Sequence, residues 1–165
     1  MDKPELSPIF TDMVFHPQRA QFFINEYPLL ILAPIVLLLG GLEANPIKTP
    51  TLILGLCLVI WILYKYIYMR KMTYKITAEQ LIYKHGVLMV SSDYIELYRV
   101  IDYDEKQTFL QQLMGLKTVT IYSGDHSTPK LNVCGVPNST KLIDIIRRRV
   151  ENNKKTKGVY EITNR

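Results

Sequence analysis

Three histidines, two cysteines and a few clusters of charge are the side chains here best equipped for chemistry. His16, His85 and His126 are scattered, and the HPQR stretch around His16 has no metal-ligand spacing. Ser123, Asp125 and His126 put a hydroxyl, a carboxylate and an imidazole side by side. A nucleophilic triad is assembled in space from separate elements, not by adjacency, so a polar hairpin turn is the simpler reading. Asp102, Asp104 and Glu105 form an acidic patch without supporting ligands, as expected of a solvated strand end. Cys57 falls in an apolar block and Cys134 in a polar one, neither in CxxC spacing, so no disulfide is expected. P-loop, GxGxxG and HExxH patterns are absent. The expectation is a protein that is not an enzyme, with no metal and no cofactor.

The remaining candidates are cations. Arg70, Lys71 and Lys75 follow the second apolar block, and Arg147, Arg148, Arg149, Lys154, Lys155 and Lys157 crowd the C-terminal part. Residues 1–69 carry four Lys/Arg and five Asp/Glu; residues 70–165 carry sixteen and ten. A basic segment beside a membrane attracts anionic headgroups, by about 1 kcal/mol per Lys/Arg near the surface. Docking of an acidic protein is the second use of such a patch, and a solvated helix end the plainest. Nucleic acid is not supported, because the aromatic residues sit within strands or spans rather than on a stacking platform.

These charges are organised around residues 27–69. Residues 27–42 (YPLLILAPIVLLLGGL) carry no charge, and residues 51–69 (TLILGLCLVIWILYKYIYM) only Lys65. A membrane span needs about 20 residues at 1.5 Å each. The second block meets this; the first does so if Phe22, Phe23 and Ile24 extend it. Pro28 suits a helix start, and Pro34 should kink the helix. Trp61, Tyr64, Tyr66 and Tyr68 are placed for the headgroup level, where Lys65 can snorkel. Gly40, Gly41, Ala33 and Gly55 permit close helix packing. A pair of buried core helices, or a re-entrant first segment, is the competing reading. A cleaved signal peptide does not fit, since the block begins late, its leading arm is not basic and a second span follows.

Residues 1–26 read as an arm lying on the membrane or on the soluble part, its apolar fragments at 9–10 and 13–15 too short for a core. From residue 72 the period changes to two. Strands are expected at 73–77, 80–85, 87–92, 93–98, 99–103, 117–123 and 130–134, the short spacing between turn signals favouring an antiparallel meander. Phe109, Leu110, Leu113 and Met114 fall on helical spacing, ended by Gly115. A helix over 138–152, capped by Asn138 or Ser139, turns the stripe Leu142, Ile143, Ile145, Ile146 and Val150 toward the sheet. Residues 153–165 look like a loose basic tail, in which 159–163 has β-like composition and could add a strand to a neighbour.

The stretches YKITAEQLIYKHGVL (74–88) and IELYRVIDYDEKQTFLQQLMGLKTVTIYS (95–123), behind a helix pair, resemble the bacterial pleckstrin-homology-like membrane proteins of the YdbS-like type. The likeness implies a PH-like fold, a seven-stranded barrel or sandwich closed by a C-terminal helix, beside the bilayer in the cytoplasm. It does not imply phosphoinositide binding, and the basic loop signature of eukaryotic phosphoinositide-binding PH domains has no match here. The expected organisation is α+β: an arm (1–26), a transmembrane hairpin (27–69), a PH-like domain (70–152) and a basic tail (153–165). The expected role is a membrane-anchored scaffold that binds other membrane proteins or copies of itself; the alternative is a module for anionic lipid of the bacterial inner membrane.

Orientation follows from flanking cations. The break between the blocks offers Lys48 alone, against Lys65, Arg70, Lys71 and Lys75 after the second block and Lys3 and Arg19 before the first. The positive-inside rule puts both termini in the cytoplasm. A cysteine introduced at Asn45 is therefore expected to react with a membrane-impermeant thiol reagent in intact cells; protection of that cysteine there would overturn the orientation.

Overall fold

The computed structural model describes residues 10–43 and 46–158. The expectations for Lys3, Ile9, Asn45 and the strand at 159–163 lie outside the described residues. The first element is a short strand, β1 (Met13–Phe15). Helix α1 (Ala20–Gly41) follows and α2 (Lys48–Lys71) returns. Met72 then leads into β2 (Thr73–Ile76), which pairs antiparallel with β1, Phe15 opposite Tyr74 and Met13 opposite Ile76. The two helices are thus an insertion between the first two strands of a sheet. The arm is correspondingly more than a loose segment: Met13 and Phe15 pack against the buried core. Alternation alone could not show this, because three residues become a strand only when a partner edge is supplied.

At 1.5 Å per residue, the 22-residue α1 and 24-residue α2 measure about 33 and 36 Å, enough for a hydrocarbon core of about 30 Å. Their outward side chains, among them Ile31, Leu38, Ile53, Leu56 and Ile60, are exposed. A core helix of a water-soluble domain would be covered. The pair suggests membrane insertion. It is closed by small residues: Gly40 lies against the backbone of Leu52, and a Cβ at Gly55 would come within 2.5 Å of Leu37 Cδ2. Gly41 faces open space instead. Both prolines lie within one continuous helix, α1, which begins seven residues earlier than the uncharged run because Gln21 and Asn25 bond to each other across one turn.

Strands β3 (Gln80–His85) and β4 (Ser91–Glu96) complete a four-stranded antiparallel sheet of order β1-β2-β3-β4. A 3-10 turn (Leu97–Arg99) leads to β5 (Val100–Lys106), which joins β6 (Leu116–Ser123) and β7 (Lys130–Pro137) in a second sheet. The two sheets form a sandwich, not a closed barrel. Residues 87–90 of the expected strand at 87–92 are instead a tight turn, with Ser91 and Ser92 opening β4, because Gly86 sits at φ +114°, where any side chain would strike the Met89 carbonyl. Helix α3 (Phe109–Leu113) is held by a reciprocal cap between Thr108 and Gln111.

Helix α4 (Leu142–Thr156) starts later and ends later than expected, so Lys154 and Lys155 are helical. Its start has no side-chain cap; Asn138 is occupied by Gln107 Nε2 at 2.5 Å. Leu142, Ile146 and Val150 enter the core with Ile76, Leu81, Ile95, Val119, Ile121 and Val133. Because β2 leaves α2 directly, the sandwich has a hairpin-proximal end (the β3–β4 turn, α3) and a distal end (the β2–β3 turn). Overpacking a close interface costs about 1–3 kcal/mol. Gly55→Leu is therefore expected to lower the melting temperature of the detergent-solubilised protein by several degrees, with Gly41→Leu leaving it unchanged.

Candidate interaction site

The structure spreads the nine candidate cations along the length of the sandwich. Arg70 and Lys71 are exposed in the last turn of α2, where helix becomes strand. Lys75 lies midway along β2 and pairs with Asp12 at 2.9 Å. Lys154 and Lys155 are in the final turn of α4, at the distal end: Asn153 Nδ2 donates to the Ala78 carbonyl at 2.6 Å, and Lys157 Nζ stands 4.5 Å from the Tyr98 ring centre. Arg147 lies over Tyr103 at 6.0 Å. A single basic surface therefore does not collect all nine.

Arg149 points inward and is only 4% exposed. Its guanidinium donates to the carbonyls of Ile76 (2.9 Å), Thr77 (2.7 Å) and Thr11 (2.7 Å). These groups end β2 and precede β1, so one planar fork ties the arm, the first sheet and α4 together. A run of three arginines does not announce which one turns in. The helical period does: Leu142, Ile146, Arg149, Val150 and Asn153 recur on one face, and all five are buried.

Docking of the arm creates a groove of about 520 Å³ between residues 10–13 and α4. Phe10, Met13 and Ile145 supply apolar surface, and Lys141, Arg148 and Asp144 supply charge. This mixture suits a segment that is apolar on one side and acidic on the other. Sequence reasoning missed the groove, because it exists only once the arm pairs with β2.

A second, smaller cleft of about 190 Å³ lies at the base of the hairpin. Glu26 pairs there with Lys65 at 3.3 Å. An aromatic ladder lines up behind it: ring centres run Phe15–Tyr74 5.1 Å, Tyr74–Tyr83 4.9 Å and Tyr83–His85 4.6 Å, all stacked. Burial pushes the Tyr83 phenol up to about 12 and the Tyr74 phenol further. Burial also raises the Cys134 thiol, which keeps it protonated and a poor nucleophile. The other groups singled out in the sequence are engaged locally. Ser123 Oγ donates to the Thr128 carbonyl and accepts from Asp125 N–H, both at 3.0 Å, in a polar turn. Asp125 pairs with Arg99 at 3.4 Å, Asp104 with Lys106 at 2.7 Å and Glu105 with Lys117 at 2.9 Å. His16 Nδ1 is 2.8 Å from the Met72 carbonyl, closing the chain's exit and return. Among the described residues, no three of His, Cys, Asp and Glu gather as a metal site.

A family model described as bacterial PH domain matches residues 28–150, which takes in the helix pair as well as the sandwich. No curated protein and no solved structure matches the chain.

Removing Arg149 leaves three carbonyls without that donor, at about 1–3 kcal/mol for each buried group left unsatisfied. Arg149→Met is expected to cost at least about 3 kcal/mol, read as a large drop in melting temperature. Arg148→Met, at an exposed position, should stay within about 0.5 kcal/mol of the parent.

Proposed function

Because the chain belongs to the bacterial PH domain family, we propose that it works as a membrane-anchored interaction module, holding its sandwich at the cytoplasmic face of the inner membrane and assembling with other membrane proteins or with further copies of itself. The observation that carries this reading is the groove between the arm and α4, with Phe10, Met13 and Ile145 beside Lys141 and Arg148. A site of this size and mixed character offers apolar burial for affinity and cations for orientation. The insertion of the helix pair between β1 and β2 supports the same reading. Two connections, not one flexible linker, join the sandwich to the hairpin, which supports a constant pose of the groove relative to the helix pair. Both termini on the cytoplasmic side, as the flanking cations predict, put the groove where soluble and membrane-bound partners can reach it.

A second reading, attraction to anionic lipid, is favoured by Arg70 and Lys71, exposed at the end of α2. It is weaker for Lys154 and Lys155, which the fold carries to the opposite end of the sandwich. Lipid attraction then positions the domain, and the groove does the recognising.

Purification of the full-length protein from its native membranes under mild detergent should yield a discrete assembly above the monomer mass. Lys141→Glu combined with Arg148→Glu should abolish that assembly while leaving the melting temperature close to the parent's. A lone monomer carrying only lipid, for both proteins, would defeat the interaction reading and leave the lipid reading.

A further inference from the structure

Two apolar projections stand at the hairpin-proximal end of the sandwich, one beside each helix. The first is the β3–β4 turn. Strand β2 runs away from α2 and β3 runs back: Thr73 is opposite Lys84 and Ser91 opposite His85, so residues 86–90 extend past the start of β2 toward the helices. The His85 ring lies 6.4 Å from the ring of Tyr68, which is inside α2 and within one turn of its end. At the tip, Leu88 is 95% exposed, Met89 89% and Val90 69%. No charged residue lies between His85 and Asp93 to explain this turn as a solvated loop. The collision that bars a side chain at Gly86 holds the turn tight, so the tip is presented rather than tucked away.

The second projection is α3. Strand β5 runs toward the hairpin end, and α3 caps it beside α1, joined by a buried bond from Gln111 Nε2 to Gln21 Oε1 at 2.9 Å. Phe109 is 78% exposed and Leu113 74%. They are four residues apart, on one face of the helix. Phe109 shares the wall of a cleft with Ile24 and Tyr27, the residues of α1 at which its long apolar run begins.

We propose that these two projections insert into the interfacial layer of the bilayer from which the hairpin emerges, so that the sandwich is seated on the membrane at three places: the helix pair, the β3–β4 tip and α3. The occupant is lipid, and continuity argues for it. Each projection abuts the end of an apolar helix, at the level of its interfacial tyrosines, and both face the same end of the domain. Exposed apolar patches on a folded domain mark an interaction surface, and side chains of this kind settle at the boundary between headgroups and acyl chains. Seating fixes the tilt of the sandwich, and the groove along α4 stays in the aqueous phase. This inference rests on the reading of the helix pair as membrane-spanning.

The test uses the full-length protein in liposomes, with Cys57 and Cys134 replaced by alanine and one cysteine returned at a time for an environment-sensitive fluorophore. The sites are Leu88→Cys, Phe109→Cys, Ile60→Cys at the middle of α2 and Ser127→Cys in the distal β6–β7 turn. Lipids carrying a quencher near the headgroup, or deep in the acyl chain, report depth. The expected result is strong quenching of residues 88 and 109 by the shallow quencher, of residue 60 by the deep one, and of residue 127 by neither. Quenching at residue 60 with residues 88 and 109 as unaffected as 127 would overturn the seating and leave the membrane span standing. No quenching at residue 60 would overturn the span, and the seating with it.

Discussion

The pairing of β1 with β2 is the constraint on which the rest depends. Phe15 and Tyr74 are opposite each other in an antiparallel ladder, so the chain between them must leave the sheet and return to within one strand spacing, about 4.8 Å. Two antiparallel helices of nearly equal length, 22 and 24 residues, meet that demand. Gly40 and Gly55 let their backbones approach, and His16 clasps the Met72 carbonyl where exit and return meet. The ladder of Phe15, Tyr74, Tyr83 and His85 stacks directly beneath this junction. The Tyr74 hydroxyl donates to the Asn132 carbonyl at 3.2 Å and so carries the first sheet over to the second. The helix pair is therefore tied to the sandwich at both of its ends through one β ladder. The family match, over residues 28–150, takes in most of the helix pair together with the sandwich from β2 into α4.

At the distal end the equivalent fastening is Arg149. A buried guanidinium is costly to desolvate unless its donors are used; here the two terminal nitrogens donate to three carbonyls, while Nε finds no partner among the described residues. Thr11 belongs to the arm, Ile76 ends β2 with Thr77 following it, and Arg149 belongs to α4, so this one side chain joins three parts of the chain far apart in sequence. Asn153 repeats the device one turn later with the Ala78 carbonyl. The groove between arm and helix is a by-product of that fastening: the arm is pinned at Thr11 and at β1, and the space between arm and helix remains open.

The two ends of the sandwich thus differ in chemistry. The hairpin-proximal end presents Leu88, Met89, Phe109 and Leu113, together with Arg70 and Lys71, a combination of apolar tips and cations. The distal end presents the charged turn of α4 with Glu79, Glu96 and Lys157 exchanging contacts at 3.8 Å. The exposed apolar side chains are thus denser at the hairpin-proximal end, with Ile101 exposed at the distal one. Its side, along α4, carries the mixed groove.

The α+β order, the helix pair, most of the sandwich strands and the apolar face of α4 were all readable from residues 20–150, because periods of 3.6 and 2 and runs without charge are properties of the chain itself. Gly115 marked the end of α3 in the same local way, whereas the Thr108 cap at its start appears only in the structure. Which charges belong to a site was not readable. Arg147, Arg148 and Arg149 are identical in composition and adjacent in sequence, yet only the third is buried, because it alone follows Leu142 and Ile146 around the helix. Residues 13–15 carry no signal stronger than alternation over three positions; they become a strand because the return of α2 delivers β2 beside them. The tip at 88–90 has the composition of a strand, and Gly86 makes it a turn. Local pattern determined which segments fold as helix or strand and where the apolar spans lie. Tertiary structure alone decided which end each charge and each exposed apolar side chain occupies, since that depends on contacts between residues up to 138 positions apart, as from Thr11 to Arg149.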